Sequence, residues 1–238
     1  MPGTGTIVNA AAVILGGLLG LLLHGGLKPR FQQIMMQALG LATIFIGASG
    51  AVRGMLKIED GTLASADSMA MVFALVLGAF TGEALDIEKK IERFGEFLKR
   101  KFSRGEDTKF VDAFVSATMV VCVGAMAVVG SLQDGLHADA TTLYTKAVLD
   151  FAIIIIMAST MGKGVIFSAI PLAIFQGSIT LFARLIEPVL TPNAVNNLSF
   201  IGSILIFAVG INLAFGKKFK VGNLLPVLLF AVLFGFFM

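Results

Sequence analysis

Long apolar runs, separated by short polar or glycine-containing segments, account for most of the chain. A transmembrane α-helix needs about 20 mainly apolar residues, and these runs show no sustained strand-like alternation. The pattern predicts an all-α, polytopic membrane helix bundle formed by a single transmembrane domain over residues 1–238. We assign eight spans, at about 5–23, 34–55, 66–84, 110–130, 142–162, 165–185, 196–216 and 221–238.

One segment between the third and fourth spans has a different pattern. Ile87, Ile91, Phe94 and Leu98 recur at helical spacing, with lysine and arginine beside them. This arrangement predicts an amphipathic helix at about 86–104 that lies on the cytoplasmic lipid surface. A docking or gating element is the alternative, and the residues do not separate the two.

Parts of the sequence recur at a nearly constant distance. FALVLGAF, beginning at Phe73, is similar to FAVLFGFF, beginning at Phe230, and spans 2 and 7 share glycines at Gly40 and Gly202. Spans 1 and 6 align more weakly, and the three offsets are 160, 162 and 157 residues. Two spans whose order numbers differ by five cross the membrane in opposite directions, because successive spans alternate in direction. The sequence therefore predicts an inverted three-plus-three repeat, an architecture common among secondary transporters.

Glycines at helix-packing spacing form a further pattern. Small residues four apart allow two helix backbones to approach closely. We interpret three such pairs as packing positions within one bundle or between subunits, namely Gly16 and Gly20, Gly50 and Gly54, and Gly78 and Gly82.

Composition and charge agree with a membrane protein. The chain is 57% hydrophobic and 14% charged, whereas soluble domains carry about 25% charged residues. Of the 18 basic residues, 14 fall in the loops after spans 1, 3, 5 and 7. By the positive-inside rule those loops are cytoplasmic and both termini lie outside. Because the basic residues lie beside spans, we do not expect nucleic-acid binding.

An ionisable pair occurs within the fifth span. Lys146 and Asp150 are four residues apart and therefore share a helix face, and residues 151–158, which follow, carry no polar side chain. A charge in hydrocarbon costs about 2.5 to 3.5 kcal/mol and marks a functional site by default. Asp150 is our candidate for binding a cation or proton, with Lys146 tuning its charge. A purely structural ion pair is the alternative.

Other polar residues inside spans are candidates for contacting a solute. Gln176 follows Pro171 by five residues and shares a helix face with Thr180. At the outer ends of spans, the candidates are Gln133 and Asp134, and Asn212 lies within span 7. The alternative for each is a structural role, as a helix-end cap or through hydrogen bonds between helices.

No enzyme, cofactor or metal site is predicted. The tetrad GASG, beginning at Gly47, has a form found in intramembrane serine proteases, but a serine nucleophile needs a nearby base. The two histidines, His24 and His137, both fall in predicted loops. The sequence also lacks an HExxH motif and a cysteine pair.

Several stretches resemble a bacterial membrane family of unknown function, the YqgA/YdfK type. The resemblance is carried by GTIVNAAAVILGGLLG, FVSATMVVCVGAMAVVGSLQDGL, GVIFSAIPLAIFQGSITL and VGNLLP, and it covers nearly the whole chain. It implies a multi-pass protein of the bacterial inner membrane, for which transport is one candidate role, and it names no substrate and no site residue.

Two hypotheses follow. The first is a small secondary transporter or channel for a small polar solute or ion, with a site around Asp150 and Gln176. The second is a membrane scaffold or regulatory partner protein that does not transport. The lipid bilayer is a partner under both hypotheses, and a homo-oligomer is compatible with either.

Overall fold

The computed structural model describes residues 1–24, 28–59, 62–65, 68–102, 109–123 and 125–237. Positions 66–67, 103–104, 124 and 238, which belong to predicted helices, lie outside these ranges. The α-helices are α1 (Thr4–His24), α2 (Pro29–Met55), α3 (Ser68–Leu85), α4 (Ile87–Phe102), α5 (Phe110–Cys122), α6 (Ala125–His137), α7 (Thr141–Met161), α8 (Ala169–Leu181), α9 (Ala183–Ile186), α10 (Pro192–Phe215) and α11 (Val227–Phe237). Short 3-10 segments are Lys163–Ser168, Glu187–Val189 and Val221–Leu224.

The fold class is confirmed as a helical membrane bundle. Five helical segments are long and apolar enough to cross a bilayer: Thr4–Leu23, Pro29–Met55, Thr141–Met161, Lys163–Leu181 and Pro192–Phe215. Two bent pairs, α3 with α4 and α5 with α6, raise the number to seven if each counts as one span. Val221–Gly235 is apolar but shorter. The count of eight stays a prediction.

A small β-hairpin follows α2 where the sequence predicts a loop. Strand β1 (Leu56–Glu59) pairs antiparallel with β2 (Thr62–Ser65), with Leu56 opposite Ser65 and Glu59 opposite Thr62. Asp60 and Gly61 stand between the strands in the sequence, and Asp-Gly is a strong hairpin signal. The length of the apolar runs, from which the spans are predicted, does not reveal a hairpin between two spans.

The chain forms two compact units. The first comprises Met1–Leu39, Lys89–Cys122 and Met126–Ile186. Within it α1 lies against α7, and glycines allow the close approach. A Cβ atom at Gly16 would lie 2.8 Å from the carbonyl oxygen of Phe151, and one at Gly20 would collide with Ile155.

Helix α4 occupies the position of the predicted amphipathic helix. Its residue Leu98 is buried with Phe110 and Phe114 of α5, and Ile91 packs against this cluster. The ring of Phe94 also contacts Phe114 edge to face, with 5.9 Å between centroids. Part of the apolar stripe of α4 therefore packs on α5, whereas Phe94 is 37% exposed, and the position of α4 at the lipid surface stays a prediction.

The second unit comprises Gly40–Glu88, Val123–Ala125 and Glu187–Met238. In it α2 packs against α10 in antiparallel fashion, with Gly40 beside Ala214 and Gly54 beside Phe200. Helices α3 and α11 pack likewise, with Gly78 against Val227. All three predicted glycine pairs are thus packing positions within the bundle, since Gly50 and Gly82 contact Ser203 and Asn223 respectively.

A charged junction in the second unit joins the start of α4 to the loop before α11. Glu88 is buried, its Oε1 lies 2.6 Å from Lys217 Nζ, and its Oε2 accepts from the Gly222 N–H at 3.0 Å. The Asn223 side chain accepts from the Glu88 N–H at 2.7 Å. Lys220 forms a 2.5 Å bond to Glu83, which raises the pKa of this exposed lysine above its usual range. The junction fixes where α4 begins.

Candidate functional site

The predicted ionisable pair lies in the N-terminal half of α7 and is buried. Lys146 is 6% exposed and Asp150 is 4% exposed, and the Lys146 ammonium group donates a hydrogen bond to Asp150 Oδ2. Four residues of helix bring the two side chains onto one face. The opposite charges of Lys146 and Asp150 cancel, and α7 carries no other lysine, arginine, aspartate or glutamate.

Two amide side chains extend this pair toward neighbouring helices. The amide of Asn9, on α1, interacts electrostatically with the Asp150 carboxylate. Asn9 Nδ2 also donates to Gln176 Oε1, on α8, at 3.4 Å. Both amides are 0% exposed. The structure thus brings Lys146, Asp150, Asn9 and Gln176 into one connected set, which we call the polar cluster.

Two atoms of the polar cluster have no hydrogen-bond partner among the described residues. They are the acceptor Asn9 Oδ1 and the donor Gln176 Nε2. A buried polar group without a partner costs about 1–3 kcal/mol, and such groups in a native structure call for an explanation. The hydroxyls of Thr6 and Thr118 are likewise buried and unpaired within the described part of the chain.

A cleft of about 650 Å³ opens in the first unit, lined by α1, the end of α6, and α8 with α9. Its walls include Gly3, Thr6, Gly135, Gly177, Thr180 and Arg184. Thr6 precedes Asn9 by three residues on α1, and Thr180 follows Gln176 by four on α8. One helical turn is 3.6 residues, so the polar cluster begins about one turn from the cleft wall on both helices.

The structure places Thr180, Asp134 and Gln133 around the end of α6. The Thr180 hydroxyl donates to the Ser131 carbonyl oxygen at 3.1 Å, which ties α8 to α6 beside the cleft. Asp134 is 0% exposed, and its Oδ2 accepts from the Gly5 N–H in the first turn of α1 at 3.0 Å. A carboxylate there is favourable because a helix N-terminus carries partial positive charge.

Gln133 and Asp139 organise the start of α7. Gln133 Oε1 accepts from the Thr142 hydroxyl at 2.7 Å. Asp139 Oδ1 accepts from the Thr141 N–H at 3.0 Å, and hydrogen bonds from Thr141 lower the pKa of this exposed carboxyl group. Gln133 and Asp139 therefore hold a helix end in the described structure.

Asn212 belongs to the second unit and folds a loop. Its Oδ1 accepts from the N–H groups of Lys218 and Phe219 at 2.8 and 2.9 Å, and its Nδ2 donates to the Phe219 carbonyl oxygen at 2.8 Å. All these partners are backbone groups. Of the seven predicted site residues, three enter the polar cluster and one, Thr180, lines the cleft.

Asn9 and Thr6 are not among the site residues predicted from the sequence. The available signal was a lone amide in an otherwise apolar helix, which marks polar contact but does not name the partner. Among the described residues, no group of three or more histidine, cysteine or acidic side chains could hold a metal ion.

The fold and the polar cluster define this chain as a polytopic helical membrane protein. The chain belongs to the family described as "Protein of unknown function (DUF554)", whose model matches residues 4–236. The resemblance seen in the sequence is thereby confirmed.

Two relatives cover nearly the same length. The uncharacterized membrane protein YdfK of Bacillus subtilis (strain 168) is 32% identical over 225 residues, which are 94% of this chain and 92% of that protein. The uncharacterized protein YqgA of Escherichia coli (strain K12) is 32% identical over 232 residues, 96% of this chain and 94% of that protein. No solved structure matches the chain.

Proposed function

We propose that this protein is a small secondary transporter or channel of the bacterial inner membrane for a small polar solute or ion. The observation that carries the proposal is the polar cluster: a buried Lys146–Asp150 pair continues through Asn9 and Gln176 to within about one helical turn of the cleft. Ionisable groups within membrane helices mark solute or ion pathways by default. The cleft is then the entry side, and the described state is closed over the pair.

The predicted inverted repeat supports transport in a second way. Its second and third pairs of related spans correspond to α2 with α10 and α3 with α11, which pack antiparallel in the second unit. Many transporters are built from such repeats and alternate access by moving one part against another. On the positive-inside argument, both termini lie outside in this proposal.

The test is flux through purified protein reconstituted in proteoliposomes, followed by light scattering against a panel of small solutes and salts. The double variant Lys146→Gln/Asp150→Asn removes both charges, keeps hydrogen-bonding groups and leaves no unpaired ion. We expect it to lose at least 90% of the flux while its melting temperature stays close to that of the parent. Asp139→Asn is the matched control, because Asp139 is exposed and asparagine retains the accepting oxygen.

Flux unchanged in the double variant would overturn the assignment of the pair. The absence of flux for every solute would favour the alternative function, a membrane scaffold. One observation supports that alternative: Lys146 and Asp150 form an ion pair with each other, as a purely structural pair would.

A further inference from the structure

We propose that the Asn9–Gln176 amide pair recognises the transported solute and that this solute is a small uncharged molecule of the carboxamide or urea class. The inference rests on the proposed function and names its substrate class. Such a molecule carries a hydrogen-bond donor and an acceptor on neighbouring atoms, which complement the unpaired Asn9 Oδ1 and Gln176 Nε2.

The orientation of the two amides is set by Asp150. An ionised carboxylate only accepts hydrogen bonds, so its interaction with Asn9 favours the amide nitrogen over the amide oxygen on that side. The same nitrogen supplies the bond to Gln176 Oε1, and the nitrogen of Gln176 is left without a partner in the described structure. The site therefore presents one acceptor and one donor in a fixed order.

The direct bond between the amides is easy to replace. At 3.4 Å it is longer than the usual 2.7–3.2 Å for an N–H···O bond, hence weak. A solute inserted between Asn9 and Gln176 would exchange one weak bond for several and would satisfy both unpaired atoms. A site built to hydrogen-bond its ligand discriminates strongly against analogues that lack the matching group.

The charge of the polar cluster excludes an ion as the preferred solute. Lys146 and Asp150 neutralise each other. The buried Asp134 of α6 is not part of the cluster; its Oδ2 accepts from the Gly5 N–H at the N-terminus of α1, and its Oδ1 has no partner among the described residues. Arg184 lines the exposed cleft rather than the buried cluster. An ion entering the cluster would lose its hydration without gaining an opposite charge, whereas a neutral solute does not face that penalty.

The experiment compares probes of nearly equal shape and different charge. Acetamide is paired with acetate, and urea with guanidinium, each as a radiolabelled ligand at millimolar concentration for equilibrium binding to the full-length protein in lipid nanodiscs. We expect saturable binding of acetamide and of urea, and at least tenfold weaker binding of the charged partner of each.

The variant Gln176→Met keeps the size of the side chain and removes both its donor and its acceptor. We expect at least tenfold weaker acetamide binding, while Asn196→Ala, at an exposed position of α10, binds as the parent does. If Gln176→Met fails to fold, Gln176→Leu serves, because it also removes both hydrogen-bonding groups without adding a charge, and it is expected to weaken binding to a similar degree.

Three results would overturn the inference: no saturable binding of any probe, which would mean that the amides hold water only; equal or tighter binding of the charged probes; or unchanged acetamide binding in the Gln176 variant. Saturable binding without flux in proteoliposomes would instead overturn the proposed function and leave the recognition site standing.

Discussion

Asp150 depends on a single neighbour for its charge. Its carboxylate is 4% exposed, and the cation that compensates it is Lys146 on the same helix. Removing one member of a buried pair is much more damaging than removing both, because the survivor keeps a charge in a medium that solvates it poorly. This asymmetry can be measured.

Lys146→Met alone is expected to lower the free energy of unfolding by about 3–5 kcal/mol, because it leaves the Asp150 carboxylate unpaired. The double variant Lys146→Met/Asp150→Leu should recover most of that loss. The measurement is thermal or denaturant unfolding in detergent micelles. A double variant as unstable as the single one would show that the loss does not come from the unpaired Asp150 carboxylate.

At the same scale, the sequence identified Lys146, Asp150 and Gln176 as site residues and did not assign Asn9 to the site. Lys146 and Asp150 could be found because their spacing and an apolar run are local properties. Asn9 could not be assigned, since its contacts with Asp150 and Gln176 join residues more than 140 positions apart. Asn212 was predicted to contact a solute, but its side-chain oxygen accepts from the backbone N–H groups of Lys218 and Phe219 in the following loop. The sequence around Asn212 does not indicate that loop conformation.

Glycines allow helix pairs in this protein to pack closely, and the glycine positions differ in how much space a side chain would have. Gly47 of α2 contacts the backbone of Phe207 on α10 so closely that a Cβ atom would collide with it. Gly177 of α8 has no heavy atom within 4 Å of the position its Cβ would take. The two positions therefore form a matched pair of packing tests.

Gly47→Leu is expected to destabilise the protein by more than about 2 kcal/mol, since the backbone of α10 would have to move. Gly177→Leu should change stability by less than about 0.5 kcal/mol. Unfolding midpoints of the two variants in the same detergent decide the matter. Equal losses would contradict the assignment of Gly47 as a contact with backbone.

Helix boundaries followed the apolar runs where a run ended in polar residues. The spans predicted at about 5–23 and 142–162 lie where α1 and α7 are found, within two residues at each end. The sixth span differs, because it begins as the 3-10 segment Lys163–Ser168 and its α-helix ends at Leu181. Pro171 accordingly falls in the first turn of α8, where a missing N–H is tolerated.

For the molecule as a whole, the number of crossings decides on which side the C-terminus lies. Helix α11 has 11 residues, which at 1.5 Å each give about 16 Å, roughly half of a bilayer core. Eight crossings return the C-terminus to the side of the N-terminus, whereas seven leave it on the opposite side. Apolar composition alone does not give the number of crossings, because the last segment is apolar enough to cross a bilayer but its helix is too short.

Cysteine labelling tests the orientation. In a Cys122→Ser background, Asp139→Cys should react with a membrane-impermeant maleimide in intact cells, whereas Lys218→Cys should react only after permeabilisation. The reverse pattern would contradict the positive-inside assignment. Met238→Cys then counts the crossings: labelling like Asp139→Cys supports eight, and labelling like Lys218→Cys supports seven.

The opposite charges of Lys146 and Asp150 also have an electrical consequence. Moving one elementary charge through a membrane potential of 100 mV involves about 2.3 kcal/mol, but a pair that sums to zero does no net work against that field. If an uncharged solute passes beside a pair that stays intact, the turnover is electroneutral. A cell could then run such a carrier in either direction on the concentration gradient alone, whether its membrane is energised or not.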